Sequence, residues 1–71
     1  MESWSKQEGG NHYKNFAIQP SEYCERNKLS HLESNVVKYV TRHRLKNGKA
    51  DLMKAIHSIQ MLIDLEYPDN D

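Results

Sequence analysis

The chain has 71 residues, ten basic and ten acidic, four histidines and one cysteine, with a formal net charge of zero. That length allows one domain that buries only about 60% of its unfolded surface, so stability is marginal without a staple; the lone Cys24 excludes an internal disulfide and a CxxC zinc site. Neutrality argues against a general nucleic-acid binder, which needs a broad positive field; no apolar run approaches the roughly 18–20 residues of a membrane span, and the opening MESWSKQEGG lacks the basic-then-apolar order of a secretion signal.

A cytoplasmic protein with no membrane partner is therefore expected, and self-association is the staple that composition leaves available. Residues 1–11 are polar, contain Gly9-Gly10 and show no period, which predicts a flexible tail carrying Trp4. Residues 12–67 form the expected single domain, and residues 68–71 an acidic tail. The segment from His12 and Tyr13 to Ile18 reads as extended, and Gln19 is steered from the helical region by Pro20. Pro20 suits the first turn of a short helix to about Asn27, with Tyr23 and Cys24 as its buried side.

Ser30-His31-Leu32-Glu33 is a capping-box pattern that starts a second helix near His31. At about 100° per residue, Leu32, Val36, Tyr39, Val40 and His43 share an apolar arc. Asn35, Lys38, Arg42 and Lys46 share the adjacent one. Asn47-Gly48 predicts a left-handed C-terminal cap and a tight turn into a third helix, from about Ala50 to Tyr67. On that helix Leu52, Ala55, Ile56, Ile59, Leu62 and Ile63 form the expected partner for helix two. Met53, His57, Met61 and Leu65 lie on the remaining side and are the expected contact with other subunits. The fold expected is all-α: a short N-terminal helix plus an antiparallel helical hairpin, in an oligomeric assembly.

Charge is unevenly spread along this frame. Residues 38–54 hold Lys38, Arg42, Arg44, Lys46, Lys49 and Lys54 against Asp51 alone, whereas residues 55–71 carry four carboxylates and no lysine or arginine. Three cations and the Asn35 amide on one helix strip suit a phosphorylated ligand, since arginine forks onto two phosphate oxygens and lysine supplies a point charge; a solvated helix face is the bland alternative. Tyr39, at the edge of the strip, offers a ring on which a base can stack. Asp51 complements the positive end of helix three; its other roles are to orient Arg42 or Lys46, or to accept from a ribose hydroxyl. The four histidines match no compact metal motif, so no metal is expected. There is no phosphate-binding GxxxxGK[ST] loop, no GxGxxG and no GxSxG.

Read together, His12-Tyr13, Ile18-Gln19-Pro20, residues 35–40, Arg42, Lys46-Asn47-Gly48 and residues 51–55 resemble a small bacteriophage family of unknown function. Its members are often labelled "nucleotide kinase", through similarity to part of a podovirus deoxynucleoside monophosphate kinase. The resemblance spans about residues 12–66 and implies a phage-encoded helical protein of the host cytoplasm that handles nucleotides. It implies a ligand surface of His12, Tyr13, Gln19, Asn35, Lys38, Tyr39, Arg42, Lys46, Asp51 and Lys54. Ser34 departs from the glycine common at that position in the family. Small phage helical proteins that sequester nucleotide signals of host defence are similar in size and architecture.

The function expected is capture of a nucleotide or cyclic nucleotide without turnover and without a cofactor. In that reading Lys38, Arg42, Lys46 and Lys54 meet phosphate, Asn35 and Gln19 meet base or ribose edges, and Tyr13 or Tyr39 stacks. A monophosphate kinase using Mg and ATP is the runner-up. A host-protein inhibitor acting through Met53, Met61 and Leu65 is the third reading. Arg42→Ala is expected to weaken binding with folding intact.

Overall fold

The structure, a computed structural model, describes residues 16–69. The expectations for Trp4, His12, Tyr13 and the last two residues lie outside that range. Among the described residues every regular element is helical: α1 Pro20–Arg26, α2 His31–Arg42, a 3₁₀ turn His43–Leu45, and α3 Lys49–Glu66. No helix among them is long and apolar enough to cross a membrane.

Local chemistry sets most of the boundaries. Gln19 is extended (φ −70°, ψ 144°), as a residue before proline should be, and Pro20 opens α1. At the other end Leu29 N–H donates to the Cys24 carbonyl at 3.0 Å and Lys28 N–H to that of Glu25 at 3.2 Å. That pair of bonds closes a helix through one left-handed residue, and Lys28, at φ +55°, holds a place usually given to glycine. The start of α2 is a complete capping box. Ser30 N–H donates to Glu33 Oε1 at 2.7 Å, and Glu33 N–H donates to Ser30 Oγ at 3.2 Å.

The connection between α2 and α3 departs from expectation. The α-helix stops at Arg42 and tightens into a 3₁₀ turn, so Lys46 lies beyond the helix and off the strip that regular spacing assigned to it. Gly48 stands instead as the N-cap of α3, with φ +56° and ψ −127° rather than the left-handed helical pair. Its N–H donates to the His43 carbonyl at 2.8 Å, tying the turn back to the end of α2.

Helix α2 is the middle element. It packs most extensively against α3 and less so against α1. The residues of α3 that are turned inward are only in part the predicted ones: Ala55 is buried and Leu62 half-buried as expected, but Asp51 and Ser58 are buried with them, while Leu52, Ile56, Ile59 and Ile63 are exposed. Two physical causes set this rotation. Asp51 must stay with its arginine partner on α2, and the small side chains of Ala55 and Ser58 let two helix backbones approach closely. The aliphatic arc is thereby turned aside by roughly 100°. A second correction concerns α1, where Cys24 is buried but Tyr23 is 47% exposed. Among the described residues, the buried apolar side chains are Pro20, Cys24 and Ala55.

Candidate functional site

The site is built outward from one carboxylate. Asp51, in the first turn of α3, is 0% exposed and accepts four hydrogen bonds. Arg42 donates through Nε to Oδ2 at 3.2 Å and through Nη2 to Oδ1 at 3.1 Å, a two-pronged pair across the turn. Asn47 adds its backbone N–H to Oδ2 at 3.3 Å and its side-chain Nδ2 to Oδ1 at 3.2 Å. The Arg42 hydrogen bonds lower the Asp51 pKa from 3.8 to about 2; the Asn47 bonds act the same way and burial opposes them.

This geometry redirects two expectations. With both oxygens used inside the protein, Asp51 fixes Arg42 instead of reaching a ribose. Arg42 in turn is structural, because its loss would leave a buried carboxylate without its cation. The expectation that Arg42→Ala spares folding is therefore corrected. Asn47 entered the sequence reading only as part of the turn; the available signal was its amide four residues before an aspartate, a spacing that puts the two within reach once a turn becomes a helix.

The anchored guanidinium carries the next layer. Its Cζ lies 4.9 Å from the centroid of the Tyr39 ring, with Lys38 Nζ at 4.8 Å and Lys54 Nζ at 5.7 Å. Cations on the face of a tyrosine are attracted by its quadrupole. Tyr39 thus gathers cations from two helices, and ring contacts with Lys38, Arg42 and Lys54 compete with the base stacking expected of it. Within the described residues neither Lys38 nor Lys54 has a carboxylate partner, whereas Arg42 does.

Beside this cluster runs a groove of about 340 Å³, its walls including Asn35 and Tyr39 from α2 and Met53, Lys54, His57 and Met61 from α3. Ser58 lies at its buried side, and no Asp or Glu is among its lining residues. Three of the four residues expected at a subunit contact, Met53, His57 and Met61, thus share a wall with the expected ligand residues. Leu65, 71% exposed, lies outside it. Asn35 Nδ2 stands 3.4 Å from His31 Nε2, and Asn35 also borders a second hollow together with Lys38, Pro20 and Cys24. Gln19, at the N-cap of α1, and the exposed Lys46 line neither space. Among the described residues no three His, Cys, Asp or Glu side chains converge as a metal site would require.

A sequence model for a protein family of unknown function, DUF3310, matches residues 7–60. No curated protein and no solved structure gives a significant match.

Proposed function

The chain belongs to the DUF3310 family, and from the groove its residues build we propose that it binds a phosphorylated small molecule of the nucleotide class and holds it without turnover. The observation that carries this reading is the placement of Lys38 and Lys54, from different helices, on one tyrosine ring, neither of them in an ion pair among the described residues. Like charges brought together repel, and an anion between them relieves that cost. A groove of this size accommodates a small ligand. Its mixed walls suit a nucleotide: Met53 and Met61 offer polarisable surface to a flat ring, Asn35 and His57 offer hydrogen bonds to its edges, and Lys54 in the wall, with Lys38 on the same Tyr39 ring, offers charge to phosphate.

Capture is favoured over phosphoryl transfer by the chemistry of the lining. A kinase needs carboxylates to hold magnesium near the phosphates. Asp51, the carboxylate that holds Arg42, has given its oxygens to Arg42 and Asn47. The proposal takes the host cytoplasm as the setting and a nucleotide or cyclic nucleotide defence signal as the captured species, a reading that rests on the sequence resemblance to phage proteins.

An antiparallel hairpin is part of the same reading. Arg42 near the end of α2 meets Asp51 at the start of α3, and Tyr39, earlier in α2, meets Lys54, later in α3. Self-association also belongs to it, because so few apolar side chains are buried.

Calorimetric titration of the full chain with nucleoside mono-, di- and triphosphates and with cyclic dinucleotides tests the proposal. At least one should bind, and Lys38→Ala and Lys54→Ala should each weaken it about tenfold or more. Absence of binding across the whole set overturns the reading. Formation of nucleoside diphosphates from magnesium, ATP and deoxynucleoside monophosphates overturns the no-turnover part.

A further inference from the structure

The apolar arc that α3 turns away from α2 has a pattern of its own. Leu52, Ile56, Ile59 and Ile63 follow one another in steps of four, three and four, the spacing of a coiled-coil seam. They are 36%, 52%, 41% and 48% exposed, so the seam has no partner within the described residues. Continued by the same steps, the seam reaches Lys49 at one end and Glu66 at the other, both exposed and neither in an ion pair among the described residues.

These two terminal charges are on the wrong ends of their own helix. Lys49 opens α3, where the helix dipole is positive, and Glu66 closes it, where the dipole is negative. Each placement disfavours the isolated helix. A second copy of α3 laid antiparallel removes the conflict. Centred between Ile56 and Ile59, the pairing sets Ile56 against Ile59, Leu52 against Ile63 and Lys49 against Glu66 of the other copy, twice over by two-fold symmetry. A parallel, in-register pairing would instead set Lys49 on Lys49 and Glu66 on Glu66.

We propose that the protein forms a two-fold homodimer through an antiparallel α3–α3 seam of Leu52, Ile56, Ile59 and Ile63, closed at both ends by Lys49–Glu66 ion pairs between subunits. The groove with Met53, Lys54, His57 and Met61 lies on the other side of α3, so both ligand sites stay open in the dimer. The dimer is therefore independent of what the groove binds. It also differs from the subunit contact expected of the Met53–Leu65 side.

Sedimentation equilibrium of the full chain over a range of concentrations tests it. A dimer is expected, and Ile59→Asp should shift the dissociation constant upward by about a hundredfold or more. Since Ile59→Asp could unfold a chain this small, charge reversal gives the second test. Lys49→Glu and Glu66→Lys each improve the helix's own dipole complementarity, yet each should weaken dimerisation by about tenfold. The double variant K49E/E66K, which restores opposite charges across the seam, should recover the original constant. A monomer at all concentrations overturns the proposal, as does a double variant no tighter than the single ones.

Discussion

Arg42 and Asp51 lock the end of α2 to the start of α3 through two hydrogen bonds of 3.1 and 3.2 Å, with the arginine side chain only 12% exposed and the carboxylate fully enclosed. The pair fixes how α3 is rotated about its axis, and through that rotation decides which of its faces meets α2, which lines the groove and which is left for another molecule. It also places the guanidinium against Tyr39, so the cation cluster inherits its position from a structural bond.

Removing the arginine should destabilise the fold. Arg42→Ala leaves a buried carboxylate with only Asn47 to serve it, and the expected loss is on the order of 10 °C or more in Tm by circular dichroism. Arg42→Lys keeps the charge but not the fork, and should fall between the two. An Arg42→Ala protein as stable as the parent would show that the pair does not organise the turn.

Acid should weaken the same lock. The Asp51 carboxyl titrates near 2 in the folded chain, below its ordinary 3.8, so folding disfavours the protonated form. Its contribution is complete above about pH 4 and disappears as pH falls toward 2. Urea unfolding between about pH 6 and about pH 2 should show a difference between parent and Asp51→Asn that shrinks over the lower half of that window. A constant difference would remove the carboxylate as its cause.

Ligand capture by lysines predicts sensitivity to salt. Raising the salt concentration should weaken the binding of any phosphorylated ligand found, and Lys38→Ala or Lys54→Ala should flatten that dependence. Both side chains are at least partly exposed, so circular dichroism should show each variant folded as the parent is. Binding that ignores salt would point to a ligand without phosphate.

Two backbone positions give opposite outcomes. Lys28 holds a left-handed conformation at the end of α1, and Lys28→Gly should stabilise the protein by about 0.5–1 kcal/mol in urea titration. At Gly48 (φ +56°) an added Cβ would meet nothing within 4 Å, so the penalty of Gly48→Ala is one of backbone conformation alone. It should cost about 1 kcal/mol or more.

The capping box offers a check on local design. Ser30→Ala removes the hydroxyl that accepts from Glu33 N–H and should cost about 1 kcal/mol, read from the same titration.

Much of the fold is legible in the chain because it rests on local rules. Pro20, the Ser30–Glu33 box and the Asn47-Gly48 turn mark helix boundaries through contacts within a few residues, and all three fall where a boundary is observed. The helical period likewise put Asn35, Lys38, Arg42 and Tyr39 on adjoining strips. What periodicity does not carry is the choice among faces. Leu52, Ile56, Ile59 and Ile63 are the most apolar arc of α3, yet the side that meets α2 is that of Asp51, Ala55 and Ser58.

The sequence by itself determined the helical class, the start of each helix to within a residue, and the concentration of positive charge between residues 38 and 54, since propensity, capping and composition act over short distances. Tertiary structure alone decided that Asp51 would be enclosed by Arg42 and Asn47, that Lys54 would join Lys38 on Tyr39, and that Lys46 would fall outside the cluster. Those outcomes depend on how two helices rotate against each other. That rotation is fixed by a buried ion pair and by the small volume of Ala55 and Ser58, neither of which registers as a periodic signal along the chain.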